Sequence, residues 1–79
     1  MDADSERRLT EIFRGLFGLP SLVLRDELTA RDVPGWDSLN HVSLMVEVEG
    51  AFSVRFTSDE IAALSCVGDL KALIERKRA

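Results

Sequence analysis

Gly35-Trp36-Asp37-Ser38-Leu39 is the stretch that decides how the rest of the chain is read. Pro34-Gly35 punctuates a loop, and an apolar-rich segment begins directly after it. Asp37 and Ser38 are both residue types that cap helix N-termini, where side-chain oxygens take up backbone N–H groups that the first turn leaves free. The stretch therefore ends a loop and starts a helix, with the Ser38 hydroxyl among open N–H donors. Such a helix start suits a phosphate ester, because the free donors and the macrodipole both favour an anion. As a bare triplet, Asp37-Ser38-Leu39 is no more than an ordinary helix cap, and only the surrounding chain adds meaning.

Downstream, residues 38 to 52 read as a helix with two apolar faces. At 100° per residue, Leu44, Met45, Val48, Ala51 and Phe52 share one face. Leu39, Val42 and Val46 lie nearly opposite, with Glu47 and Asn40 on one flank and Glu49 on the other. In so small a domain one face closes the core and the Leu39 stripe remains for a partner. Upstream, Leu9, Ile12, Phe13, Leu16 and Phe17 fall on one face of a helix over residues 4 to 17. Asp4 or Ser5 can cap it, and Gly18-Leu19-Pro20 ends it. Arg7, Arg8, Glu11 and Arg14 fall on its wet side. Residues 18 to 37 show no regular element, apart from a turn of helix that Pro20–Leu24 would admit. They read as an ordered crossover whose apolar residues Leu22, Val23, Leu24, Leu28 and Val33 pack on the bundle.

Toward the C-terminus, Ser53–Thr57 alternates like a strand but has nothing to pair with. It reads as an extended loop that pins Phe52 and Phe56 in the core. Thr57 and Glu60 have capping-box spacing, which opens a short helix over residues 58 to 64. Ser65 caps a last helix over residues 67 to 77, buried through Val67, Leu70, Leu73 and Ile74, with Arg76, Lys77 and Arg78 favourable at its C-terminal dipole. The expected architecture is all-α: a four-helix bundle of three main helices and one short one, with a long loop between the first two.

The sequence has 79 residues, 46% of them hydrophobic, which suits one domain over 1–79 with a modest core. A net charge of −4 argues against nucleic acid, whose phosphates need a basic face. The acidic start Met1-Asp2-Ala3-Asp4 has no leader character, and no apolar run is long enough to span a bilayer. A cytoplasmic protein, off the membrane and monomeric, is expected. Cys66 is the single cysteine, so no internal disulfide can form, and a buried thiol is expected. One His and one Cys give no metal-ligand pattern. A Ser38–His41 pair is conceivable on a helix, but a chain this short supplies no oxyanion hole or orienting group. No catalytic residue is assigned.

At Gly35-Trp36-Asp37-Ser38-Leu39-Asn40-His41-Val42 the sequence resembles the acyl carrier proteins, whose attachment motif Gly-x-Asp-Ser-Leu is met in full. The order of elements agrees along nearly the whole chain. The resemblance implies that Ser38, flanked by the motif residues Asp37 and Leu39, receives 4'-phosphopantetheine from coenzyme A through a phosphopantetheinyl transferase. The arm's thiol then carries an acyl group as a thioester among acyltransferase, ligase or ketosynthase-type enzymes. Related peptidyl carriers usually have Gly-Gly-His/Asp-Ser, whereas Trp36 stands here. Many fatty-acid carriers bear several acids on the helix after the serine, where this chain has Asn40, Ser43 and Met45. The resemblance thus points to a discrete carrier of a specialised, polyketide-type pathway. The docking surface expected beside Ser38 comprises Trp36, Leu39, Val42, Val46, Glu47 and Glu49. A carrier of aminoacyl cargo and a helical adaptor without an arm are the rival readings.

Overall fold

The computed structural model describes residues 1–78. Four helices follow in order: α1 (Ala3–Phe17), α2 (Ser38–Phe52), α3 (Ser58–Ala62) and α4 (Val67–Arg78), with no strand among the described residues. The all-α bundle and the bounds of α2 agree with the sequence reading, while α3 stops two residues earlier than expected. The cap of α1 differs. Asp2 accepts the Ser5 N–H at 2.8 Å, so the helix starts ahead of Asp4 and Ser5. Ser5 is instead buried, and its Oγ accepts from Arg78 Nη1 at 2.8 Å. At the other end Gly18 takes a left-handed conformation (φ 65°) and donates to the Arg14 carbonyl, a common way to close a helix.

The core is built from one face of each long helix. Leu9 and Phe13 of α1, Leu44, Met45 and Val48 of α2, and Val67, Leu70 and Ile74 of α4 are almost wholly buried, each worth roughly 1.5–3 kcal/mol by area. The segment after α2 turns at Ser53 (φ 55°). Val54 is buried there, and Phe56 is half-buried and packs against the core. Cys66 is half-buried rather than enclosed.

The loop between α1 and α2 is irregular but tied down. Where Pro20–Leu24 would admit a turn of helix, the chain makes a single turn over residues 19 to 22, closed by the Leu22 N–H on the Leu19 carbonyl at 3.0 Å. Arg14 Nε holds the Leu22 carbonyl at 2.8 Å, which takes Arg14 off the wet side. Leu28, Val33 and Trp36 are buried, while Val23 points to solvent. The loop also caps α4. The Val67 N–H donates to the Leu28 carbonyl at 2.9 Å and the Gly68 N–H to the Asp26 carbonyl at 2.8 Å, satisfying donors that a helix start leaves open. Lys71 Nζ adds ion pairs to Asp26 at 2.9 Å and to Glu6 at 2.6 Å.

Ser65 does not cap α4 in the expected sense. Its N–H and its hydroxyl both donate to Asp69 Oδ2, at 3.1 and 2.9 Å, so the aspartate reaches back and the serine is the donor. The α3 capping box is present: Glu60 N–H donates to Thr57 Oγ1 at 3.1 Å, and Thr57 N–H to Glu60 Oε1 at 2.8 Å. Glu60 Oε2 also takes Lys77 Nζ at 2.9 Å, tying α3 to α4.

Candidate functional site

The start of α2 is set by a short relay of bonds. The Trp36 N–H donates to the Val33 carbonyl at 3.1 Å, and the Asp37 N–H to the Gly35 carbonyl at 3.0 Å. Gly35 sits at φ 90°, a region that a side chain disfavours. The Asp37 carboxylate accepts the Asn40 N–H at 2.9 Å, its carbonyl accepts the His41 N–H at 2.8 Å, and Asn40 Nδ2 returns to the Gly35 carbonyl at 2.7 Å. Asp37 is therefore the cap and Ser38 the first helical residue, fully on the surface. The N–H groups of Ser38 and Leu39 have no acceptor within the helix, as in any first turn. A primary hydroxyl in this place can carry a phosphate ester whose oxygens meet free donors.

Trp36 lies in the core and not on the exposed face where it was expected. It is 8% exposed, set edge-on against Phe13 with ring centres 5.4 Å apart. It anchors the loop junction as a core residue. Its Nε1–H donates to His41 Nδ1 at 3.0 Å. Because an indole N–H can only donate, Nδ1 is an acceptor and the proton sits on Nε2. That proton faces the Ile61 carbonyl at 3.3 Å. Both ring nitrogens of His41 are thus occupied, one by the loop and one by α3, and neither is left to deprotonate Ser38. This bridge was missed in the sequence, where the only signal was a histidine at the edge of the core face.

Leu39, Val42 and Val46 stand 77%, 58% and 62% exposed, a stripe of large apolar side chains running from Ser38 along α2. Glu47 is exposed beside it. Glu49 is half-buried, and its Oε2 accepts the Phe56 N–H at 2.8 Å, so its carboxylate serves the fold and is largely withdrawn from the flank assigned to it. Ser38 also borders an open groove of about 420 Å³ lined in part by Trp36, His41, Ile61 and Leu64.

Residues 7–74 match the family described as "Phosphopantetheine attachment site". An acyl carrier protein of Acidothermus cellulolyticus is 36% identical over 61 residues, 77% of this chain and 73% of that protein. The chain belongs to the acyl carrier protein family. The solution structure of a holo acyl carrier protein from Geobacter metallireducens has the same fold, with a TM-score of 0.84 and 40% identity over 91% of this chain and 83% of that one. Members of the family hold covalently attached phosphopantetheine and work with a phosphopantetheinyl transferase and acyl-processing enzymes. The carrier is accordingly not itself a catalyst. No helix among the described residues is long and apolar enough to cross a membrane.

Proposed function

We propose that Ser38 is the attachment point of the arm, and that this carrier, a monomeric cytoplasmic single domain over 1–79, serves a specialised, polyketide-type pathway. The observation that carries the first part is the exposed Ser38 hydroxyl at the first position of α2. Asp37 holds the helix start and Leu39 opens the apolar stripe, so the motif residues act through geometry. Leu39, Val42 and Val46 dock partner enzymes, with Glu47 at their edge. A partner must bring its active site to the arm, and this stripe is the apolar surface contiguous with Ser38. Leaving it in water forgoes roughly 1.5–3 kcal/mol per side chain, which supports a use in binding. The scarcity of acids on α2 supports the specialised role over a housekeeping fatty-acid one.

Intact-mass analysis after incubation with coenzyme A, magnesium and a broad-specificity phosphopantetheinyl transferase tests the assignment. The wild type gains one arm. Ser38→Ala gains none and keeps its stability within about 0.5 kcal/mol, since an exposed first-turn residue that is not the cap contributes little. An arm on the Ser38→Ala protein refutes the assignment. A wild type that takes no arm favours the adaptor reading.

A further inference from the structure

Asn40 makes two bonds around the start of α2, and the helix needs only one of them. Its backbone N–H completes the cap on the Asp37 carboxylate at 2.9 Å. Its side chain reaches back five residues, where Nδ2 donates to the Gly35 carbonyl at 2.7 Å. This second bond satisfies no open donor of the helix. Burial does not demand it either, because Gly35 is on the surface, where water can serve a carbonyl. The same carbonyl already takes the Asp37 N–H at 3.0 Å. Nor does helix preference explain the residue, since asparagine is a weak helix former. What the bond does is fix a peptide plane. Gly35 sits at φ 90°, an angle that glycine reaches freely and leaves as freely. Trp36, on the far side of that plane, is pinned in the core. Asn40 therefore closes a clip over Asp37, Ser38 and Leu39, from the third residue of the helix to the turn before it.

We propose that Asn40 is a positioning residue for arm attachment: its side-chain amide, acting through the Gly35 carbonyl, holds the turn that aims the Ser38 hydroxyl. The proposal rests on the assignment of the arm to Ser38 and adds a residue to it. In that reaction Ser38 Oγ forms a bond to the coenzyme A phosphorus that bears the pantetheine. The pyrophosphate P–O bond on the opposite side breaks, adenosine 3',5'-bisphosphate leaves with the electron pair, and the hydroxyl proton is released to solvent. Such a displacement needs the attacking and leaving oxygens roughly in line. A loose hydroxyl occupies that line less often, and small misplacements cost large factors in rate. The transferase supplies the chemistry, and the carrier's share is to hold its hydroxyl still.

Single-turnover attachment separates this geometry from partner binding. A broad-specificity phosphopantetheinyl transferase is held in excess over apo protein, with coenzyme A and magnesium saturating. The rate is followed by intact mass against transferase concentration. Asn40→Ala is expected to lower the plateau rate about tenfold and to change half-saturation less than about twofold, since the apolar stripe is untouched. Asn40→Asp is the sharper variant, and it decides alone if Asn40→Ala does not fold. A carboxylate cannot donate to the Gly35 carbonyl, so its plateau also falls about tenfold. Its melting temperature stays near that of the wild type, because the helix start favours an added acid while Asp37, three residues back, opposes it. Amide exchange at Asp37, whose N–H shares the Gly35 carbonyl, speeds about fivefold or more in both variants, and exchange in α4 does not change. Plateau rates within about twofold of the wild type overturn the proposal. So does a fall confined to half-saturation, or an Asn40→Asp protein faster than the wild type, since either makes Asn40 a direct contact of the transferase. A slow plateau with unchanged exchange at Asp37 overturns it as well, because the route through Gly35 is then absent. Each of these outcomes leaves the arm on Ser38. A wild type that takes no arm, or a Ser38→Ala protein that takes one, removes the assignment itself and this proposal with it.

Discussion

Trp36 and His41 form a pair whose strength is set by burial. The indole is nearly enclosed, and its Nε1–H has His41 Nδ1 as acceptor. A buried donor left without a partner costs about 1–3 kcal/mol. His41→Ala should therefore destabilise the protein by about 1–3 kcal/mol, more than an exposed helix histidine would. Trp36→Phe removes the donor and leaves Nδ1 unmatched. In a double-mutant cycle read by urea denaturation the two changes should couple by about 1 kcal/mol. Additive losses would mean that the bond contributes nothing beyond packing. Since His41 also reaches the Ile61 carbonyl, His41→Ala should speed amide exchange in α3 as well as in the loop. None of this was legible in the sequence. A tryptophan, a histidine and a main-chain carbonyl advertise no pairing until the fold brings them together. What was legible at this scale was Ser38 at a helix start and the exposed valines, because both follow from cap chemistry and helical period alone.

At the scale of the element, two helical glycines separate intrinsic propensity from packing. A side chain added at Gly15 in α1 would meet nothing within 4 Å. Gly15→Ala should stabilise by about 0.5–1 kcal/mol, the ordinary helix preference for alanine. At Gly68 in α4 an added Cβ would lie 3.2 Å from both the Cβ and the carbonyl oxygen of Asp26. That carbonyl is also the acceptor for the Gly68 N–H, so the loop cannot yield without loosening the cap. Gly68→Ala should thus lose its propensity gain to crowding and destabilise by about 1 kcal/mol. Opposite signs in urea denaturation check the argument. The period of the apolar residues placed α1, α2 and α4, and Thr57 with Glu60 placed α3. Helix ends were read less well. Asp2 and Asp69 act across three or four residues through side-chain geometry, and several residue types nearby could have served.

For the whole molecule, pH acts at both ends of the scale. The Ser5 N–H at Asp2, Lys77 followed by the Thr57 N–H at Glu60, and the Ser65 hydroxyl and N–H at Asp69 hold these carboxyls below their ordinary values. Each favours the folded state when ionised. That stability is present above the ordinary carboxylate range and is lost as pH falls through the lowered values, below about pH 4. Lys71 works in the other direction. Burial disfavours its charge, but Glu6 and Asp26 outweigh that and raise its pKa. Its contribution is present below the ordinary lysine value and disappears as pH rises through the raised one. Melting temperature should be flat near neutrality and fall on both sides, and Lys71→Met should lower the plateau by about 1 kcal/mol while flattening the alkaline fall. An unchanged alkaline limb in Lys71→Met would remove the lysine from this account. The loop that Lys71 grips was expected to be ordered, because its apolar residues needed cover. Its grip on α4 was hidden, because the groups that cap α4 are the carbonyls of Asp26 and Leu28. Every amino acid carries a carbonyl, so no replacement of residue type at these positions can delete the joint. A change of length can. One residue added or removed between Leu24 and Val33 would slide both oxygens out of register with the start of α4. Loops commonly absorb insertions with little penalty. The joint these two carbonyls make is free in its spelling and fixed in its count.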